Sequence, residues 1–410
     1  MTINNDTTPH KRSRLPSLPR NVWAVTATSF LTDVSSEMVF YVLPLYLANV
    51  LGVRTNIIGL IEGLAETTAS LLKMVSGWLS DKLQSRKWLT VAGYSLSAVA
   101  KPFLLIANTW GAVLAVRLAD RTGKGIRTAP RDALIADSID EPQRGLAFGL
   151  HRAGDTAGAA LGLLIALLVV AFEQRLKTQL SPATFRALVA ISIVPALLAV
   201  VVLIVGVRDV KLKPGNGLPK LSLAGFDARF KLFLVVIVLF TLGNSSDAFL
   251  ILRAQERGLS VTAIMAMVLA FNLIYATVSG PAGQLSDRVG RRRLIVSGWI
   301  VYGLIYLGFA LSGAGWQVFG LYALYGLYYG LAEGVGKALI ADLVLPEQRG
   351  TAYGLYNAAV GITALPASLI AGVLWQGIGS FGGFGPRAPF LFGASLAFAA
   401  AAVLAVWLRE

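Results

Sequence analysis

Long apolar stretches, each about the length of a membrane-spanning helix, follow one another along almost the whole chain. A helix needs about 20 apolar residues to cross a bilayer, and short polar turns separate the stretches here. The pattern therefore predicts an all-α membrane protein with twelve transmembrane helices, which we number spans 1 to 12. Their predicted limits are 22–50, 56–80, 88–107, 111–138, 145–172, 184–207, 230–256, 261–286, 293–313, 316–342, 348–376 and 386–408.

Composition excludes an ordinary soluble protein, because 55% of the 410 residues are hydrophobic and only 14% are charged. Twelve spans leave room for loops but not for a sizeable soluble domain. Span 1 is too long for a cleaved signal peptide and carries Asp33 and Glu37, so we expect it to be retained. Residues 1–20 are polar and are predicted to form a disordered tail.

The sequence repeats itself with an offset of about half its length. The run Ala-Leu-Ile-Ala-Asp at 133–137 recurs at 338–342, and Gln-Arg-Gly at 143–145 recurs at 348–350. Such a repeat predicts two pseudo-symmetric six-helix bundles, 21–207 and 230–410, joined by a linker at 208–229. In transporters built from repeats, the functional site lies between the repeats near mid-membrane.

The formal net charge of +14 would suit a nucleic-acid partner, but membrane topology explains where the basic residues lie. If both termini lie on one side, most loop Lys and Arg residues lie on that side too. By the positive-inside rule that side is the cytoplasm of a cell (inner) membrane protein. The basic residues left for the other side are Arg54, Arg175, Lys177, Arg186, Arg257 and Arg387.

Cofactor and metal chemistry find little support in the residue types present. The chain has no cysteine and only two histidines, His10 and His151, so cysteine-based catalysis, disulfides and cysteine metal sites are excluded. The carboxylates form no recognised catalytic signature. We expect no cofactor, no metal site and no enzymatic activity.

The stretch 117–137 is dense in charge although it lies in span 4. Arg117, Asp120, Arg121 and Lys124 share one helical face, and a charge in hydrocarbon costs at least about 2.5 kcal/mol. This face must therefore look into a protein or water-filled interior. The intramembrane polar groups predicted to contact substrate are Arg117, Asp120, Lys124, Arg152, Asp247, Asn272, Tyr325, Tyr328, Tyr329, Glu333 and Asn357; the alternative for the tyrosines is packing against a neighbouring helix.

The run 283–292, Gly-Gln-Leu-Ser-Asp-Arg-Val-Gly-Arg-Arg, resembles the loop signature of the major facilitator superfamily, and residues 77–87 carry a second, less regular copy. The resemblance covers about residues 20–408 and implies the fold of that family. An acid at a helix end and bases just beyond it can also form a latch that holds two helix bundles together. The alternative is that these residues are interfacial anchors. Asp137 with Arg144, and Asp342 with Arg349, repeat one spacing of seven residues across a cytoplasmic turn, so we predict that they are partners. The predicted cytoplasmic gate comprises Gly77, Asp81, Arg86, Asp137, Arg144, Gly283, Asp287, Arg288, Arg291, Asp342 and Arg349.

Within span 4, residues 121–129 resemble the Arg-x-x-x-Gly-x-x-x-Ala pattern of proton-coupled drug antiporters in this superfamily. The resemblance implies a role in proton coupling for Arg121, with nearby carboxylates as proton sites. Span 5 departs from the antiporter pattern, because it lacks their Gly-Pro pair and has a glycine ladder for which we predict helix packing. Lys101 lies at a position normally turned outward in this fold. The predicted proton-coupling residues are Asp33, Glu37, Glu62, Glu66, Arg121 and Asp155.

These observations favour a secondary transporter that moves a small organic molecule by alternating access, through proton-coupled efflux or antiport. Its expected partners are the solute, protons and the lipid bilayer, with no nucleic acid, and we expect a monomer. Two alternatives stay open: uptake or exchange of an anionic metabolite, carboxylate or phosphate, and a lipid flippase on the same fold. The absence of a GxxxxGK[ST] motif gives no support to ATP drive.

Overall fold

Helices make up nearly all of the computed structural model, which describes residues 18–83, 85–139, 143–175, 177–210, 222–345 and 348–407. The twelve predicted spans are confirmed to within a few residues, and both the tail before residue 18 and linker residues 211–221 lie outside the described residues. The spans are Arg20–Phe40 with Leu43–Leu45 and a π-helical end Tyr46–Val50 (span 1), Thr55–Lys82 (2), Arg86–Ala100 with a 3₁₀ turn Lys101–Leu105 (3), Trp110–Asp137 (4), Arg144–Gln174 (5), Pro182–Gly206 (6), Ala228–Gly243 and Ala248–Glu256 (7), Val261–Val289 (8), Arg291–Leu311 (9), Gly315–Leu343 (10), Arg349–Gln376 (11) and Ala388–Trp407 (12).

Eight helices among the described residues are long and apolar enough to cross a membrane on length and composition alone. Spans 2, 3, 4 and 10 are not among them, and spans 2 and 4 carry charged residues such as Glu66 and Arg121. Charged spans can lie in a membrane only where neighbouring helices cover the charges. The charged spans 2 and 4 are therefore the ones to inspect for function.

Hydroxyl side chains begin several spans. The Oγ atoms of Ser85, Ser181 and Ser260, and Oγ1 of Thr109, each accept a hydrogen bond from the backbone N–H three residues later. Such N-caps satisfy donors that the first helical turn leaves unpaired. They explain why spans 3, 4, 6 and 8 begin where they do.

The turn between spans 8 and 9 explains one glycine of the signature run. Gly290 has φ of 92°, in the region that side chains with a Cβ rarely adopt, and it ends one helix directly before the next begins at Arg291. The corresponding turn after span 2 contains Ser85 as a helix cap instead. The less regular first copy of the run thus belongs to a differently built turn.

The two six-helix halves meet along span 2 with span 11 and along span 5 with span 8, contacts that the sequence repeat makes equivalent. Gly63 packs against Leu365 and Gly361 against Ser70, so the first contact is close enough to leave little room for larger side chains. Small residues allow helices in a bilayer to approach in this way. The interface between the halves therefore has the pseudo-symmetry that the repeat predicts.

The glycine ladder of span 5 packs against span 1, which confirms the packing prediction. A Cβ added at Gly162 would lie 2.5 Å from the backbone oxygen of Val34, and Gly154 and Gly158 meet Thr26 and Phe30 in the same way. The ladder holds the two helices together; it is not a ligand contact.

Replacing Gly162 by Ala is expected to destabilise the protein by about 1–3 kcal/mol, the usual range for an overpacked site. The matched control is Gly149→Ala on the same helix, where an added Cβ would meet nothing within 4 Å. Thermal unfolding of the two purified variants in detergent checks this. Equal unfolding temperatures would contradict the close contact between spans 1 and 5.

Candidate functional site

Two spans are broken at matching positions of the repeat. Span 1 loses its regular helix at Tyr41–Val42, and span 7 is interrupted at residues 244–247, about 205 residues later. In the second break, the Oγ of Ser368 accepts a hydrogen bond from the backbone N–H of Ser246. Paired discontinuous helices in repeat-built transporters mark the binding region, because unwound backbone can contact solutes there.

Ion pairs anchor the charged face of span 4 to span 2. The Arg117 guanidinium donates to both carboxylate oxygens of Glu62, at 2.7 and 3.3 Å, and both side chains are buried. One turn further, Arg121 lies 3.4 Å from Glu66 and 3.8 Å from Asp120. The charged face of span 4 therefore lies in the interior of the protein, as predicted.

The two pairs differ in exposure to solvent. The Glu62 side chain is 2% exposed, whereas that of Glu66 is 43% exposed. The ring of Phe40, at the break in span 1, lies 4.8 Å from the Arg117 guanidinium and 5.3 Å from that of Arg121. Glu66 is therefore the accessible carboxylate of the two pairs, and Phe40 connects both arginines to the broken helix.

A cavity lies between spans 1, 3 and 4. Its volume is about 80 Å³, which gives room for several water molecules. Its charged and aromatic lining residues are Asp33, Glu37, Phe40, Lys101, Arg117, Asp120, Arg121, Lys124 and Arg127. Three of the predicted coupling residues and three of the predicted substrate contacts thus share one cavity.

Lys101 faces this cavity, and the expectation that it turns outward is wrong. Its side chain is buried, and its Nζ donates to the Oγ of Ser35, which donates in turn to the carbonyl oxygen of Ser192 at 2.6 Å. The α-helix of span 3 becomes a 3₁₀ turn at Lys101–Leu105, with Pro102 in it. A 3₁₀ turn winds more tightly than an α-helix, which changes the direction of the side chain.

Span 5 carries further ionisable side chains. His151 Nε2 lies 3.7 Å from an Asp155 carboxylate oxygen, and neither ring nitrogen of this buried histidine has a hydrogen-bond partner. Arg152 is exposed and donates to the hydroxyl of Tyr275 in span 8 at 2.7 Å. Arg152 is therefore a direct polar contact between the halves.

The C-terminal half contributes an aromatic cluster rather than a charged one. Tyr322 and Tyr325 are fully buried, and the rings of Tyr325 and Tyr328 stack at 5.5 Å, with Tyr329 edge-on to both. This arrangement favours the packing alternative for Tyr325, because a solute cannot reach it in this conformation. Tyr329 is only partly buried and stays a candidate substrate contact.

The remaining predicted contacts of this half are dispersed. Asp247 lies in the break of span 7, close enough to Glu37 and Glu66 for their charges to interact. Asn272 donates to the backbone oxygen of Val268 in its own helix, and Asn357 is exposed. The side chain of Glu333 lies outside the described residues. Over the described part of the chain, no three His, Asp or Glu side chains gather as a metal site requires.

On the side of the membrane that holds the chain termini, each half has one ion pair at the same repeat position. Arg86 lies 3.2 Å from Asp137, and Arg291 lies 2.6 Å from Asp342, each pair joining consecutive spans of one half. The acids thus meet the bases that begin spans 3 and 9. The predicted partners Arg144 and Arg349 lie at the starts of spans 5 and 11.

The other predicted gate residues lie near these pairs. A Cβ added at Gly77 would lie 3.5 Å from the Cβ of Ala129 in span 4, and Arg288 is exposed at the end of span 8. The side chains of Asp81 and Asp287, and the surroundings of Gly283, lie outside the described residues.

The far side, opposite the termini, is closed by amide hydrogen bonds between the halves. Gln255 donates to the Asn49 side chain at 2.7 Å and to the Thr178 carbonyl at 2.6 Å, and Asn49 donates back at 3.0 Å. The Gln376 amide oxygen accepts from the backbone N–H and the hydroxyl of Thr55. Asn49 and Gln255 stand 206 residues apart, so they are repeat-equivalent residues that bind each other across the pseudo-twofold axis.

Replacing Gln255 by Ala is expected to favour opening of the far side about tenfold, because three hydrogen bonds of about 0.5–1.5 kcal/mol each are lost. Since the chain has no cysteine, Ser368→Cys gives one reporter, buried here against span 2. Labelling of this thiol by a membrane-impermeant reagent should be faster in the Gln255→Ala background. Gln317→Ala, which affects only turn contacts within one half, should leave the labelling rate unchanged; a change as large as that of Gln255→Ala would contradict the gate.

Sequence reasoning missed Lys101 as a cavity residue, Phe40 as the arginine contact and the amide pair on the far side. The repeat offset itself could have found Asn49 and Gln255, because both are amides in equivalent positions. No sequence signal marks Phe40, since an aromatic residue in a span is ordinary.

Comparison with known proteins agrees with this architecture. The family model described as Major Facilitator Superfamily matches residues 25–252 and 232–410. An uncharacterised MFS-type transporter of Methanocaldococcus jannaschii is 39% identical over 391 residues, 93% of each chain. The fosmidomycin resistance protein of Escherichia coli is 25% identical over 282 residues, 66% of each chain. A solved POT family transporter in complex with 5-aminolevulinic acid shares the fold, with a TM-score of 0.79 and 12% identity over 95% of this chain and 96% of that one.

Proposed function

This chain belongs to the major facilitator superfamily, and on that basis we propose that it moves a small organic solute across the cytoplasmic membrane by alternating access, driven by protons in efflux or antiport. The observation that carries the proposal is the Arg121–Glu66 pair, whose carboxylate is 43% exposed, next to a cavity lined by Asp33 and Glu37. Carboxylates that alternate between a dry and a wet surrounding can take up and release protons.

The conformation supports alternating access. Hydrogen bonds between the halves close the far side, and polar residues such as Arg152 and Asn357 are exposed nearer the termini. With the termini in the cytoplasm, as the positive-inside rule predicts, this is an inward-facing state. The two equivalent helix contacts between the halves supply the pivot for rocking of one half against the other.

The roles proposed for individual residues follow their surroundings. Arg121 acts on proton binding at Glu66, while Asp33, Glu37 and Asp155 are further proton sites. Arg117 and Glu62 are fixed in a buried bidentate pair, so we assign them a supporting role in the same network. The two ion pairs on the termini side stiffen each half where the inner gate closes.

Transport into or out of proteoliposomes that contain the purified protein as sole component tests this proposal. A library of small organic solutes is screened with and without an imposed pH gradient. A solute whose accumulation requires the gradient, and collapses when a protonophore is added, supports proton-coupled transport. Accumulation that ignores the gradient for every transported solute refutes the coupling.

Exchange of an anionic metabolite is the second candidate. The observation that favours it is that Lys101 and Lys124 line the cavity without a carboxylate within 4 Å among the described residues. In the same vesicles, this candidate predicts uptake at zero gradient that a trapped anion stimulates. Uptake that needs the gradient and ignores the trapped anion argues against it.

A further inference from the structure

The cavity between spans 1, 3 and 4 has walls of opposite charge. Asp33 and Glu37 lie on successive turns of span 1 and form the acidic wall. Lys101 of span 3 and Lys124 with Arg127 of span 4 form the basic wall. The cavity thus presents both signs of charge to whatever occupies it.

None of these five groups has a direct partner of opposite charge among the described residues. No described residue forms an ion pair within 4 Å with Asp33, Glu37 or Lys124, and Lys101 contacts only the Ser35 hydroxyl. Arg127 donates to the Ser97 hydroxyl at 2.7 Å and lies over the Tyr94 ring, so the two lysines are the freer part of the basic wall. The remaining charges of the cavity are already engaged, since Arg117 pairs with Glu62, and Arg121 with Glu66 and Asp120. The unpaired groups are therefore the ones that a ligand can engage.

The whole network, lining residues together with Glu62 and Glu66, contains as many acids as bases. A purely anionic ligand would satisfy the lysines but lie against the two carboxylates of span 1, and a cation would meet the converse problem. Charges removed from water require compensation by partners of opposite sign. A neutral ligand with one charge of each sign engages both walls and leaves the balance unchanged.

We propose that this cavity binds a small zwitterion, with its cationic group against Asp33 and Glu37 and its carboxylate against Lys101 and Lys124. The inference deepens the proposed function and rests on it, because the zwitterion is the class of solute that the transporter would carry. The Ser35 hydroxyl, itself fixed by the Ser192 carbonyl, holds the Lys101 ammonium at the basic wall. The cavity volume limits the ligand to a few non-hydrogen atoms in this conformation.

Equilibrium binding to the purified, detergent-solubilised protein tests the inference. The probes are the unbranched amino acids from glycine to 5-aminopentanoate, each compared with the alkanoate and the alkylamine of the same chain length. At least one zwitterion should bind about tenfold more tightly than both of its singly charged analogues, since each analogue leaves one charged wall unengaged. Equal affinities for a zwitterion and its analogues, or no binding by any zwitterion, would overturn the inference.

Variants place the binding in this cavity. Lys101→Met and Glu37→Gln should each reduce the affinity for the zwitterion about tenfold, and Glu37→Gln should improve that for the alkanoate. Lys124→Met and Asp33→Asn serve the same purpose if either first variant fails to fold. Lys231→Met, on an exposed residue at the start of span 7, is the matched control and should bind normally. Zwitterion binding that survives loss of both walls overturns the assignment to this cavity.

The binding assay needs no gradient, so its failure is distinct from failure of the proposed function. Gradient-driven transport of a solute that is not a zwitterion would leave the proposed function intact and refute this inference. Zwitterion binding that depends on Lys101 and Glu37, without any gradient-driven transport, would support the binding site and refute the proposed function.

Discussion

Replacing Glu62 by Gln should destabilise the protein by about 3–5 kcal/mol, the usual effect of removing one partner from a buried ion pair. The substitution keeps the size of the side chain but leaves the buried Arg117 guanidinium with Asp120 at 4.0 Å and the Phe40 ring. The bidentate contact at 2.7 and 3.3 Å is lost. Thermal unfolding of the purified protein in detergent measures the effect.

The partner residue supplies the sharpest control. Replacing Glu62 by Leu together with Arg117 by Met removes both charges, and most of the stability should return, because no uncompensated charge stays buried. Glu66→Gln, one turn away, should cost less than about 1 kcal/mol since that carboxylate is 43% exposed. Equal destabilisation by Glu62→Gln and Glu66→Gln would contradict the different burial of the two pairs.

Replacing Arg121 by Gln is expected to reduce pH-gradient-driven accumulation about tenfold or more, because an arginine within about 4–6 Å shifts the proton affinity of a carboxylate by at least that factor. Arg121 lies 3.4 Å from Glu66 and 3.8 Å from Asp120. Exchange of solute across vesicles without a gradient should change little. The measurement compares the two assays on the same proteoliposomes.

The control for this prediction is Arg229→Gln, because Arg229 is exposed at the start of span 7, far from the cavity. It should behave as the unaltered protein in both assays. If Arg121→Gln lowers exchange as much as accumulation, the residue acts on solute binding or on the conformational change, and the coupling role fails.

Much of the fold followed from periodicity alone. Apolar runs of spanning length have few alternatives in a bilayer, where every backbone polar group must be satisfied within a helix, and the repeat fixed the division into halves. The interior position of the span 4 charges also followed, because lipid offers them no partner. These predictions depend on the lipid surroundings of the helices and not on the details of their packing.

The ion-pair partners within the site could not be predicted from the sequence in the same way. Helical spacing placed Glu62 and Glu66 on one face of span 2, but which arginine each would meet depends on the rotation and depth of span 4 relative to span 2. The predicted partnership of Asp137 with Arg144 used the spacing along the chain, and the structure adds a contact of Asp137 with Arg86 across consecutive spans. Spacing along the chain does not reveal partners that come from another span.

The sequence by itself determined that this protein crosses the membrane with twelve helices in two related halves, and that charge gathers inside the first half, because hydrocarbon tolerates neither unpaired backbone nor unpaired charge. The tertiary structure decided which charges neutralise one another and which are left facing the cavity. A 3₁₀ turn at Lys101–Leu105 directs Lys101 inward, and a break at Tyr41–Val42 sets Phe40 beside two arginines. Such local departures from the regular helix change side-chain direction without changing hydrophobic periodicity, so only the packed structure reveals them.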